Sequence, residues 1–274
     1  MMTTTAHDNM SFLEHLEELR WHVIRSLIAI ISAGFICFLM KDFIFDTIIF
    51  GPKKMDFPTY KFLCQAATFI GVETTFCGDE FPFVVQNRTM AGQFSAHVMT
   101  SVIAGFIISF PYVLYEFWKF ISPGLLAKEK SKSRGFIFIS SLLFFIGVLF
   151  GYYIICPLSI NFLGTYQVSS EVLNEIDLGS FISLVRSSAI ASGIIFELPI
   201  IIYFLTKAGV VTPKSLVKYR KYALVLVLIL AAIITPPDVA SQIIVAIPIV
   251  ILYQVSIFIS KIVVKNQAND IKGK

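Results

Sequence analysis

The feature that most constrains this 274-residue chain is a succession of six apolar runs, at about 23–39, 96–115, 136–155, 178–205, 223–234 and 242–259. An uncharged apolar stretch of about 18 residues or more can span a bilayer as a helix. Inside hydrocarbon only a helix or a closed barrel satisfies every backbone N–H and C=O, and runs of this length predict helices. Composition agrees: 56% of residues are hydrophobic, 15% are charged and the mean hydropathy is +0.79. Soluble domains carry roughly 45–50% apolar and about 25% charged residues, so a water-soluble globular fold is excluded. The expected fold is an all-α integral membrane protein with six transmembrane helices.

Breakers at the ends of the runs set their limits. Lys41-Asp42 ends the first, Pro111 interrupts the second and Cys156-Pro157 closes the third. Thr235-Pro236-Pro237-Asp238 stops the fifth, and Pro248 lies inside the sixth. The fifth and sixth helices are expected to be short. At about 1.5 Å per residue, 223–234 reaches about 18 Å against a hydrocarbon core about 30 Å thick. Either Lys218, Arg220 and Lys221 snorkel or the bilayer thins beside this helix. Gly147 and Gly151 form a GxxxG, a spacing that lets helices approach closely.

Charge gives the direction. With the N-terminus inside, the inner side collects 16 Lys and Arg against seven acids, and the outer side five against ten. Basic residues favour the cytoplasmic side, so both termini are expected there. The organisation expected is a cytoplasmic amphipathic segment (1–22), a six-helix transmembrane domain (23–260, with a long outer loop at about 41–95) and a cytoplasmic basic tail (261–274). Residues 1–10 contain Asp8 and neither Lys nor Arg, unlike a cleavable leader, so the first run is read as a retained anchor. The outer loop holds Cys64 and Cys77, for which a disulfide and two unpaired small residues are both open readings. Cys37 and Cys156 fall in helices and read as packing residues.

No HExxH, GxSxG or P-loop occurs, and the histidines at 7, 15, 22 and 97 lack metal-ligand spacing. An enzyme is not expected, nor a cofactor, a metal or a nucleic-acid partner. The polar residues that stand out are few. Arg186 and Glu197 are the two charges placed within a span, where a charge is costly and marks function by default. Eleven residues apart, they differ by about 20° around a helix and about 16 Å along it, so they share a face without touching. Pro199 should free the carbonyl of Ile195 beside Glu197. Ser11 to Glu14 reads as a capping box opening the first helix, and Glu14, Glu17 and Glu18 cluster on one side of it. The helix dipole accounts for Glu14 but not for Glu18, beyond the first turn. Glu129, flanked by Lys128 and Lys130, follows the turn Ser122-Pro123-Gly124.

Four blocks together resemble one family. His15-Leu16-Glu17-Glu18-Leu19-Arg20 precedes the first span; Pro111, Tyr115-Glu116-Phe117-Trp118 and Phe120-Ile121-Ser122-Pro123-Gly124-Leu125 end the second. Phe196-Glu197-Leu198-Pro199 and Thr235-Pro236-Pro237-Asp238 with Ser241-Gln242 follow in order. This pattern is similar to the TatC family, the large polytopic subunit of the twin-arginine protein translocase. The resemblance implies a fold with a concave face and a receptor for signal peptides with paired arginines on folded cargo. It implies movement of that cargo across the inner (cytoplasmic) membrane on the proton gradient. It further implies hetero-oligomers of several copies with small single-span subunits of the TatA and TatB type, in contact with lipid. Carried over by position, Glu18, Glu129, Arg20 and Phe120 fall at the signal-peptide site. Glu197 matches the acid of the concave face, and Asp238 and Gln242 match outer polar positions; Arg186 lies outside the matched pattern. The other reading is a small proton- or cation-coupled secondary transporter with Glu197 as its intramembrane site.

Overall fold

The computed structural model describes residues 12–71, 77–78, 80–121, 133–169, 171–234 and 239–272. Five of the apolar runs form helices long and apolar enough to cross a membrane: Leu16–Leu39, Gly92–Ile121, Gly135–Thr165, Leu178–Lys207 and Gln242–Gln267. The remaining run, 223–234, lies in a helix of 15 residues, Arg220–Ile234. At about 1.5 Å per residue it is about 22 Å long, short of the hydrocarbon thickness as expected.

The chain forms two compact units, residues 1–39 with 101–141 and residues 40–100 with 142–274. In the first, α1 (Phe12–Leu39) lies against the part of α3 (Gly92–Ile121) that belongs to it. Their closest approach is made by two glycines: a Cβ on Gly105 would stand 2.6 Å from the Gly34 Cα. The Ser109 hydroxyl donates to the Ala29 carbonyl at 3.0 Å, and Trp118 packs on Phe136 with ring centroids 4.7 Å apart. Pro111 does not interrupt the helix; α3 runs through it unbroken. Its missing N–H costs one ladder bond, which the packed turns on either side tolerate.

The second unit holds residues 40–100, the third span from residue 142 onward and the last three spans. After a π-helical stretch (Phe43–Ile49) and a 3₁₀ turn (Gly51–Lys53) comes α2 (Pro58–Ile70), ended by Gly71 at φ 76°. Strand β1 (Phe83–Gln86) pairs in parallel with β2 (Asn174–Asp177), Phe83 opposite Asn174. Cys64 and Cys77 are joined by a disulfide with Cα atoms 5.1 Å apart. The third span is longer than its breakers suggested. Helix α4 (Ser133–Phe150) passes through a π-helical segment (Gly151–Ile155) into α5 (Cys156–Thr165). Pro157 therefore does not close it; it sits in the first turn of α5, where a proline needs no N–H partner.

The fourth span is α6 (Leu178–Phe196) followed by α7 (Leu198–Lys207), broken at Glu197. The GxxxG behaves as its spacing implied. A Cβ on Gly147 would meet the Ser192 carbonyl oxygen at 2.7 Å, and one on Gly151 would collide with the backbone of Ser188 on the same helix. A short α8 (Pro213–Lys218), opened by a Thr212–Ser215 capping box, precedes α9 (Arg220–Ile234). The expectation of a short sixth helix is corrected: α10 (Val239–Lys272) has 34 residues and crosses Pro248 without a break. Nothing from Ser260 to Lys272 stops it, and Val263 and Ser260 stay buried, with Ser260 accepting from the Thr206 hydroxyl at 2.9 Å. Residues 261–272 continue α10 as helix.

Candidate functional site

In the first unit α1 and α3 run antiparallel, and the contacts define a register. Gly34 meets Gly105, Ala29 meets Ser109, and His22 meets Glu116. Continued by one turn, that register sets Glu18 level with Phe120, consistent with the His22 and Phe120 rings lying 6.3 Å apart. So two of the four residues expected at the signal-peptide site, Glu18 and Phe120, come to the same end of one helix pair. Arg20 is exposed and lies about 200° around the helix from Glu18, on the other side. Glu129 lies outside the described residues.

The most engaged carboxylate here is one to which the sequence assigned no role. Glu116 is buried, with 3% of its side chain exposed. Its Oε2 lies 2.6 Å from His22 Nδ1 and 3.9 Å from Arg25 Nη1. A buried carboxylate is tolerated only when such partners offset its lost hydration. Position alone could not reveal the pairing, because the two residues are 94 apart and meet only through the helix register. Glu18, one turn before His22, is different. Its Oε2 is shielded from solvent yet has no hydrogen-bond partner among the described residues.

In the second unit, Glu197 occupies the joint between α6 and α7 with its side chain buried. Its N–H donates to the carbonyls of Ile194 and Ile195, and its own carbonyl accepts from Ile200 (2.9 Å) and Ile201 (3.0 Å). The Glu197 N–H closes α6 on the Ile194 carbonyl at 3.1 Å. Arg186, half-buried in the middle of α6, has Nε and Nη1 shielded and without a hydrogen-bond partner among the described residues. Gln242 opens the sixth span, and its Nε2 donates to the Leu228 carbonyl at 3.1 Å, tying α10 to α9. Asp238 lies outside the described residues. Among the described residues no group of three or more His, Cys, Asp or Glu could hold a metal ion.

Glu18 and Arg186 thus keep shielded polar atoms without a hydrogen-bond partner among the described residues. The family model described as "Sec-independent protein translocase protein (TatC)" matches residues 14–248. A Sec-independent protein translocase protein TatC of Blattabacterium (strain BPLAN) is 47% identical over 261 residues, covering 95% of this chain and 98% of that protein. That of Aquifex aeolicus is 35% identical over 261 residues, covering 94% and 98%. A crystal structure of the twin arginine translocase receptor TatC superimposes with a TM-score of 0.67 at 34% identity, over 92% of this chain and 100% of that one.

Proposed function

The chain belongs to the TatC family of Sec-independent protein translocase proteins, and from that premise we propose that it receives signal segments bearing paired arginines at the cytoplasmic face of an inner membrane. It is a component of the twin-arginine translocase, a multi-pass transport protein rather than an enzyme. The transporter alternative built on Glu197 has no such support.

The observation that carries the receptor reading is the contrast at one end of α1 and α3. Glu116 engages both His22 and the Arg25 guanidinium, while Glu18 keeps a shielded oxygen with no partner among the described residues. An arriving guanidinium supplies what Glu18 lacks. Charge-assisted hydrogen bonds contribute about 1.5–3 kcal/mol each, and a guanidinium can hold a carboxylate by two at once. A lysine ammonium cannot reproduce that fork, which is the chemical reason for arginine in the signal. In this reading Glu18 and Glu129 each take one arginine, Phe120 packs against the segment and Arg20 orients it from the flank.

Glu197, Gln242 and Asp238, with Arg186, are the polar positions offered to single-span subunits of the TatA and TatB type, in assemblies of several copies. The proton gradient supplies the energy for moving folded cargo. Both termini lie in the cytoplasm, as the 16 inner against five outer basic residues favour, with residues 23–260 as the membrane domain. The test is capture of the detergent-solubilised protein by an immobilised peptide with two consecutive arginines ahead of a short apolar run. Retention by that peptide and release from its Lys-Lys analogue is the expected result. Equal retention by both contradicts the reading.

A further inference from the structure

The segment 41–95 contains a helix, α2, to which the receptor reading assigns no part. Helix α2 is amphipathic in an unusual sense. One face is built into the protein: Tyr60 is fully buried, and its hydroxyl lies 2.9 Å from the Pro52 carbonyl and 3.0 Å from that of Pro157. Ala67, two turns on, is buried on the same side. The opposite face carries Phe62, 70% exposed, and Phe69, 93% exposed, two turns apart, with Ile70 beside them. Large aromatics so far out of the core call for an apolar environment outside the chain.

Where α2 is attached says what that environment is. Residues 136–155 form an apolar run which at about 1.5 Å per residue spans about 30 Å, the thickness of the hydrocarbon core. Lys132 and Arg134 lie just before it. The helix beyond it, α5, is buried in protein from Cys156 to Asn161 rather than facing lipid. If the run 136–155 fills the hydrocarbon, its far edge lies at Tyr152–Ile155, inside the longer helical span Gly135–Thr165. Ile146, Leu149 and Tyr153 form an exposed stripe leading up to that edge. At its top the Thr59 hydroxyl of α2 donates to the Tyr153 carbonyl, and Phe57 stacks on the Tyr153 ring at 5.4 Å. Tyr152, Phe57, Tyr60 and Phe81 complete an aromatic cluster at this level, the composition typical of a membrane–water boundary.

We propose that α2 is an interfacial helix that inserts Phe62, Phe69 and Ile70 into the headgroup–acyl boundary of the outer leaflet, beside the third span. Lys61, exposed next to Phe62, reaches the lipid phosphates from its stem. The Cys64–Cys77 disulfide fixes the end of this helix at the boundary. An interfacial helix lies in the plane with its apolar face about 5–10 Å deep. The inference needs that the third span crosses a bilayer and that segment 41–95 lies on its outer side, not that the chain binds signal peptides.

The experiment uses the full chain in phosphatidylcholine vesicles, with Phe69→Trp, Phe62→Trp and a control Val168→Trp. Val168 is also strongly exposed, at 87%, but follows the end of α5, about 15 Å of helix beyond the boundary. The emission added over the parent protein, which has two Trp, is recorded. For positions 62 and 69 that emission should be blue-shifted, lost when the vesicles contain acyl-brominated lipid, and little affected by acrylamide. At position 168 acrylamide should quench and brominated lipid should not. Water-like emission at 62 and 69, quenched by acrylamide alone, overturns the proposal. Emission protected from both quenchers also overturns it, because the face is then covered by protein.

Discussion

Two shielded charges, one in each compact unit, received opposite treatment. Glu116 in α3 has His22 at 2.6 Å and Arg25 at 3.9 Å from a second helix. Arg186 in α6 has two shielded nitrogens and no hydrogen-bond partner among the described residues. The first charge is part of the structure: removing His22 takes the close partner from a buried carboxylate and leaves it Arg25 at 3.9 Å. The second finds no such compensation among the described residues. Glu18 follows Arg186 in this respect, one turn from the residue that completes the Glu116 pair.

The comparison ranks substitutions. His22→Ala should cost the most, about 3–5 kcal/mol, because it strips the close partner from a buried carboxylate. Denaturant unfolding in detergent measures this, and an unchanged stability would remove Glu116 from the structural class. Glu116→Gln should cost less, about 1–3 kcal/mol, since the amide keeps a hydrogen bond to His22 while the charge disappears. Arg186→Met should be neutral or stabilising, as replacing a poorly compensated buried ion by a flexible apolar chain commonly is. A loss comparable to that of His22→Ala would mean that Arg186 has a structural partner after all. Glu18→Gln should change stability least, within about 0.5 kcal/mol, as expected where no native contact is lost.

The legible part of the molecule followed from hydrophobicity. Runs 96–115 and 178–205 had to become helices, and the spacing of Gly147 and Gly151 implied the close contact they make with α6. What escaped depended on contacts between residues far apart. Residues 83–86 look like any loop segment until 174–177, some 90 residues later, pair with them. Pro157 reads as a terminator because local rules give proline that role, yet a π-helical turn before it lets the helix restart. The sixth helix looked short because Lys261 and Lys265 ended the apolar run, whereas charge ends a membrane segment without ending a helix. At the site, Glu18 stood out because no local rule explained it. Glu116 did not, because its meaning lies in a histidine 94 residues away.

The most direct test is a double-mutant cycle. The affinities of Arg-Arg and Lys-Lys peptides are measured for the parent protein and for Glu18→Gln, whose fold is expected to be intact. If the Glu18 carboxylate grips a guanidinium, the parent should favour arginine by about tenfold or more, a difference of about 1.4 kcal/mol. In Glu18→Gln that preference should collapse towards parity. Full retention of the arginine preference in the variant would contradict the account.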